Sequence, residues 1–314
     1  MLLFSVVVIL SISCVYLFIP STLRIAKTVI GASSLSAVNR CFADTANWNH
    51  WLPSGGDPAD KNALNRHSFS YNGISYDIAR VLNGSIRINI HYSDKDSVES
   101  EITTISLNAD SSLITWSCNL SSGINPFNKI MRYRHAAQIK ENMDTALYAF
   151  RGFLTKTKNI YGIDFHEIMS KDFALVTMTS LSDTYPGTEK VYGLIDSLRQ
   201  YISLNGATEV NYPMLNISQT GSNQFKMMVA ISINKEIHGN KDIILKRFVP
   251  WKMIEGEVKG GVYTINRGFE QLNNFKDDHQ NTMMAIPFQS LITDRRKEAD
   301  TGKWITKICA PVMR

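Results

Sequence analysis

Cysteine is scarce and scattered. The four thiols, Cys14, Cys41, Cys118 and Cys309, have no close spacing, so neither a zinc knuckle nor a CxxC redox site is built locally, and buried free thiols of a reducing compartment are the simplest reading. Histidine is equally dispersed, with no HxH or HxxxH pair; "DFHE" around His166 is the only place where a histidine adjoins acids, and it reads as a linker, because adjacent side chains on an extended segment diverge. No G-x-S-x-G nucleophile elbow and no Ser/His/Asp or Cys/His constellation appears. Charge of one sign is lacking too. The formal net charge is +5 and the basic excess is shared by both halves, which excludes an electrostatic footprint for nucleic acid. Neither a cofactor nor a metal is expected.

What is present begins with an uncharged run, "MLLFSVVVILSISCVYLFIP". As a helix, residues 2–19 would span roughly 27 Å, near the thickness of a bilayer core, and the run has neither the basic start of a signal peptide nor its short apolar core. A membrane anchor over residues 1–21 is the expectation, with a single pass in the cell membrane. Arg24 and Lys27 after the run bias the remainder to the cytoplasm. The 314 residues, 44% apolar and 19% charged, leave room for two further domains.

From Thr22 the pattern is a strand, a short amphipathic helix opened by a serine cap ("SSLSAVNRCFADTANWNHW"), a turn-rich loop ("LPSGGDPADKN"), four strand-like runs separated by turn signals, and a long helix opened by Pro126. After Asp172 a strand–helix–strand–strand series appears twice. "DFALVTMTSLSDTYPGTEKVYGLIDSLRQYISLNG" leads into "YPMLNIS" and "FKMMVAISI"; "WKMIEGEVKGGVYTINRG" reads as strand, "FEQLNNFKDDHQNTMM" as helix, and "PFQSLITD" and "KWITKICAPVM" as closing strands.

Glycines in "EGEVKGGVYTINRGFEQL" raise the question of a phosphate loop. A P-loop needs lysine and a hydroxyl directly after its last glycine, whereas Gly260, Gly261 and Gly268 are followed by Val262 or by Phe269; the dinucleotide pattern GxGxxG is absent. Gly260 and Gly261 are therefore read as a bend within a strand, and Gly268 as the turn into the following helix. The charge run "TDRRKEADTGKW" reads as a solvated hairpin loop.

Two resemblances follow from these residues. Residues 22–165, with the W-x-x-W-x-P element at Trp48, Trp51 and Pro53 and "GINPF" before the long helix, resemble the polyketide-cyclase/START type of helix-grip domain (SRPBCC). That resemblance implies an antiparallel sheet gripping a long C-terminal helix around an apolar cavity, which Trp48, Trp51, Trp116 and Tyr148 either line or fill as core. Residues 172–314, with "TYPGTEKVYGLIDSL", "GGVYTINRGFEQL" and the closing W-x-T-x-I-x-x-P-V, resemble the GyrI-like effector-binding domain, to which AraC-type effector-binding domains belong.

The second resemblance implies a duplicated βαββ fold whose cleft takes amphipathic, often cationic, small molecules, with Tyr185, Trp251, Glu257, Tyr263, Phe288, Gln289 and Trp304 as cleft candidates. Many such domains carry a central glutamate on the strand after the second helix. The matching run here offers Gln289, and a neutral amide neither balances a buried cation nor acts as a general base, which leaves Glu255 or Glu257 to supply a carboxylate. The expected fold class is α+β: a transmembrane helix, a helix-grip sheet with a long C-terminal helix, then a duplicated βαββ domain. The leading expectation of function is a membrane-anchored small-molecule sensor or carrier for apolar or amphipathic ligands, without catalysis and without nucleic acid. The competing readings are a hydrolase or cyclase-like enzyme using Glu257 with Tyr263 or Tyr185, and a scaffold whose cavities are filled by side chains.

Overall fold

The computed structural model describes residues 2–53, 68–82, 84–93, 96–171, 173–248 and 250–313. Most of the turn-rich loop after Trp51 and Asn83, which opens an Asn-x-Ser triplet, lie outside them. The fold is α+β and forms two compact units, Met1–Lys156 and Thr157–Arg314.

In the first unit, helix α1 (Leu2–Phe18) leads into β1 (Thr22–Gly31). The expected transmembrane span is corrected here. Helix α1 has 17 residues, a rise of about 26 Å against a hydrocarbon core of about 30 Å, and among the described residues no helix is long and apolar enough to cross a membrane. Its C-terminal end is tied into the unit. The Tyr16 hydroxyl donates to the Ile124 carbonyl at 2.6 Å and Lys129 Nζ donates to the Ile19 carbonyl at 2.7 Å.

Helix α2 (Leu35–Ala43) begins where the Ser34 hydroxyl accepts the Ala37 N–H, relieving one orphan donor of its first turn. Strands β2 (Ser68–Tyr71), β3 (Ile74–Leu82), β4 (Ser85–His91), β5 (Ser97–Asn108) and β6 (Ser111–Ser121) join β1 in an antiparallel sheet of order β1-β6-β5-β4-β3-β2. Helix α3 (Pro126–Leu154), capped by Asn125, packs on this sheet through Ile139, Met143, Ala146, Leu147 and Phe150, a stripe at helical spacing. Facing them, alternate strand positions supply Ile86, Ile88, Ile90, Ile102, Ile114 and Trp116.

The second unit opens with α4 (Thr157–Tyr161) and β7 (His166–Met169). Its first series is β8 (Phe173–Ser182), α5 (Thr188–Leu204), β9 (Met214–Gly221) and β10 (Gln224–Ile233). Strand β11 (Ile243–Phe248) precedes the second series: β12 (Lys252–Lys259), α6 (Val262–Asp278), β14 (Phe288–Leu291) and β15 (Ile305–Met313), with the two-residue β13 (Thr282–Met283) pairing with β15 off the main path. The sheet order is β11-β8-β10-β9-β14-β15-β12-β7. Read from its middle outward, this is the same order twice. The two halves meet at β9 and β14, where Gln289 pairs with Leu215 and Ser290 with Met214.

The glycine reading is also corrected. Strand β12 ends at Lys259, Gly261 caps α6, and Gly268 lies inside that helix. A Cβ at Gly268 would stand 2.9 Å from Val258 Cγ2 and 3.0 Å from Ile308 Cδ1, so the glycine is there to let α6 approach the sheet. Gly260, at φ +142°, makes the turn from strand to helix.

Candidate functional site

In the first unit the indole candidates are packed into the interior. Trp48, Trp51 and Trp116 are all buried, and Trp116 is 2% exposed. Trp48 and Trp51 lie 5.2 Å apart between ring centroids; Trp51 stands 4.6 Å from Phe150, which stacks on Phe42 at 4.4 Å. Their polar handles are used internally, since Trp48 Nε1 donates to the Phe42 carbonyl and Trp116 Nε1 to the Ser100 hydroxyl. Buried beside them, Asn142 donates to the Tyr76 hydroxyl at 2.9 Å, and burial pushes the Tyr76 phenol up to about 12 in spite of that bond. Tyr148 stands apart on the outer side of α3, 63% exposed. A cavity of about 310 Å³ does open in this unit, between α2 and β3–β5, but Asn39, Phe42, Val81, Leu82, Ile86, Ile102 and Thr104 line it, not the tryptophans.

The second unit gathers a different set. Along β14 the side chains of Gln289 and Leu291 share the helix-covered face, because they pair with Ile308 and Thr306, whose neighbours across β12 are Gly256 and Val258 beneath α6. Gln289 thus stands at the seam between the two series, on the side of α5 and α6, and is 5% exposed. Its amide oxygen accepts from Arg295 Nη2 at 2.9 Å, and the same nitrogen donates to Thr306 Oγ1 at 3.0 Å. The Arg295 guanidinium lies 4.8 Å from the centre of the Trp304 ring, within cation–π range.

Tyr192 of α5 fixes the loop carrying this arginine. Its hydroxyl donates to the Thr293 carbonyl at 3.1 Å and accepts the Arg295 N–H at 2.9 Å. Burial lowers the Arg295 pKa from its ordinary value, opposed by the nearby Tyr192 and Tyr185 phenols. Burial likewise raises Tyr185, and Arg295 works against that rise. Tyr185 in turn meets Phe225 edge to face at 5.7 Å.

Next to Tyr192, a groove of about 590 Å³ is lined by Tyr192 and Arg199 of α5, by Glu209, Tyr212 and Pro213 ahead of β9, and by Leu291, Ile292 and Asp294 at and beyond the end of β14. The charges along it are paired. Arg199 Nε meets Glu209 at 2.9 Å, and Arg296 bridges Asp196 at 2.6 Å and Asp294 at 3.4 Å.

Of the seven cleft candidates, then, Tyr185, Gln289 and Trp304 converge around Arg295. Phe288 points to the opposite face of the sheet from Gln289, one residue away. Glu257 shares that opposite face with Glu255, across from Lys307, and is exposed. Glu255 is engaged already, with Lys307 Nζ at 2.6 Å and His166 Nε2 at 3.7 Å; that places His166 on β7, paired to β12, and not in a linker. Tyr263 is 79% exposed in the first turn of α6. Trp251 precedes β12 by one residue and is seven residues from Val258, roughly 23 Å along an extended strand.

The residues missed from the sequence are Arg295, Tyr192 and Thr306. The run "TDRRKEADTGKW" does link β14 to β15 and is mostly exposed, but Arg295 turns inward from it. A signal existed: within the charge run, Arg295 stands six positions after Gln289, past the end of a short strand whose alternation buries Gln289 and Leu291.

No family model and no curated protein matches the chain. Among solved structures it is similar to the C-terminal domain of EcmrR, with a TM-score of 0.42 at 14% identity over 48% of this chain and 98% of that one. SAV2435 bound to tetraphenylphosphonium aligns with a TM-score of 0.32 at 14% identity, over 48% of this chain and 93% of that one. A START superfamily protein from Mycobacterium smegmatis aligns at 0.30 with 16% identity, over 42% of this chain and 97% of that one.

Proposed function

We propose that the chain is a small-molecule sensor or carrier that binds an amphipathic ligand in its second unit, over the β9–β14 seam, and that it does so without catalysis. The observation that carries this reading is the convergence of Tyr185, Tyr192 and Trp304 on Arg295, of which Tyr192 also borders a groove of about 590 Å³, a volume within the roughly 300–1,000 Å³ usual for small-molecule sites. Aromatic walls with a few convergent polar groups give a ligand area and orientation. Binding is favoured over hydrolysis by the position of Glu257. Its side chain projects from the sheet face opposite Gln289, where it reaches neither the cleft nor Tyr185, and a general base must lie within hydrogen-bond reach of the proton it takes. In the first unit, Trp48, Trp51 and Trp116 are assigned to the core.

The test is extraction of the purified full chain under denaturing conditions, with mass spectrometry of the small molecules released. A ligand retained by the wild type should be lost from Tyr185→Ala and kept by Tyr148→Ala. Retention by Tyr185→Ala, with loss from Tyr148→Ala, would move the site to the first unit.

A further inference from the structure

Around the cleft, five charged side chains of the described residues stand in ion pairs. Arg199, Arg296, Glu209, Asp196 and Asp294 all have a partner of opposite sign. Arg295 does not: among the described residues no carboxylate lies within ion-pair distance of it, and its two side-chain acceptors, Gln289 and Thr306, are neutral. Both of those bonds leave from Nη2, so the donors on Nε and Nη1 meet no acceptor among the described residues. A half-buried guanidinium in this state keeps its charge and still lacks a counter-ion.

The Trp304 face that would otherwise receive a cationic guest is already covered by the chain's own cation at 4.8 Å. A second positive charge brought there meets repulsion, whereas an anion meets unused donors, an aromatic wall and an uncompensated charge. The Tyr185 and Tyr192 hydroxyls near the guanidinium are neutral at physiological pH, since burial holds both phenols above their ordinary value. They add no negative charge that would fill the role.

We propose that the ligand of this cleft is an amphipathic anion, an aromatic or apolar body bearing one carboxylate or a similar acidic group, and that Arg295 is the residue that selects it. This rests on the assignment of the cleft as a small-molecule site. The neutral acceptor at Gln289 and the inward turn of Arg295 are then one device, which sets the sign of the charge the cleft accepts.

A matched pair of probes tests it: 2-naphthoate and 2-naphthylmethylammonium, which share a ring system and differ in the sign of the charge, titrated calorimetrically into the full chain. The naphthoate should bind about tenfold or more tightly than the ammonium compound, as expected for a charge-assisted hydrogen bond in a partly buried site. Arg295→Gln should abolish that preference, Arg295→Lys should keep much of it and also guards against a failure of the first variant to fold, and Lys297→Gln, an exposed charge removed from the same loop, should leave it unchanged. Equal binding of the two probes, tighter binding of the cation, or an anion preference that survives Arg295→Gln overturns the inference while leaving the cleft as a ligand site. Binding of neither probe to the wild type overturns the inference, and if Tyr185→Ala also retains the molecule that co-purifies with the wild type, the cleft assignment falls with it.

Discussion

At the scale of single residues, size and polarity decide where each group can stand. Gly268 is set by size. With Val258 and Ile308 about 3 Å from the position of a Cβ, Gly268→Val forces α6 off the sheet and should cost about 1–3 kcal/mol or more in urea unfolding. Gly193, inside α5 with nothing within 4 Å of its would-be Cβ, is the contrast: Gly193→Ala should stabilise by about 0.5–1 kcal/mol in the same measurement. Trp116 sits at 2% exposure among the isoleucines of the first sheet, so Trp116→Ala should lower stability by about 3–5 kcal/mol and leave ligand binding by the second unit unaffected. None of these environments was legible in advance. A glycine after a polar residue signals a turn as readily as a close approach, and a tryptophan serves core and cavity alike, so Gly268 and Trp48 were resolved only by what surrounds them.

At the scale of elements, the sequence was more informative where the determinants are local. The apolar stripe of α5 (Val191, Ile195, Leu198, Ile202) and the alternation along β6 can be read without the fold, because each follows from the period of its own element. Pairings between distant elements carry no such signal. The seam rests on only two residue pairs between β9 and β14, and the ties of α1 to Ile124 and Lys129 span more than a hundred residues. The outermost pairing, β7 on β12, makes a prediction of its own. Burial acts to raise the Glu167 carboxyl, but hydrogen bonds from Lys252 at 2.6 Å and from Asn281 outweigh it, and the net shift is downward. A depressed carboxylate contributes stability that is fully present above its ordinary, unfolded value and is lost as the pH falls through the lower, folded one. The acid limb of the unit's stability profile should therefore fall through that window, and Glu167→Gln should flatten it; an unchanged limb in chemical unfolding at a series of pH values would mean that the pair contributes nothing.

At the scale of the whole molecule, each unit has an interior of its own. The second is served by two clusters, one under α5 around Ile195, Leu215 and Val229, the other under α6 around Phe165, Leu272 and Ile308. Residues 157–314 made alone should unfold in a single cooperative urea transition, and a gradual loss of structure would show that the boundary after Lys156 is misplaced. The palindromic strand order puts the β9–β14 seam at its own midline, between the strands that α5 and α6 cover, and this is the place where three of the seven sequence-derived cleft residues meet. The other four were chosen by motif position, which registers neither the face a strand residue occupies nor its distance along the strand. The most direct measurement is hydrogen–deuterium exchange of the full chain with and without saturating 2-naphthoate. Slowed exchange at 183–192 and 289–306 with no change at 81–104 is the expected result; protection confined to 81–104, the segment that borders the first unit's cavity, or no protection anywhere, contradicts the assignment of the ligand site to the seam.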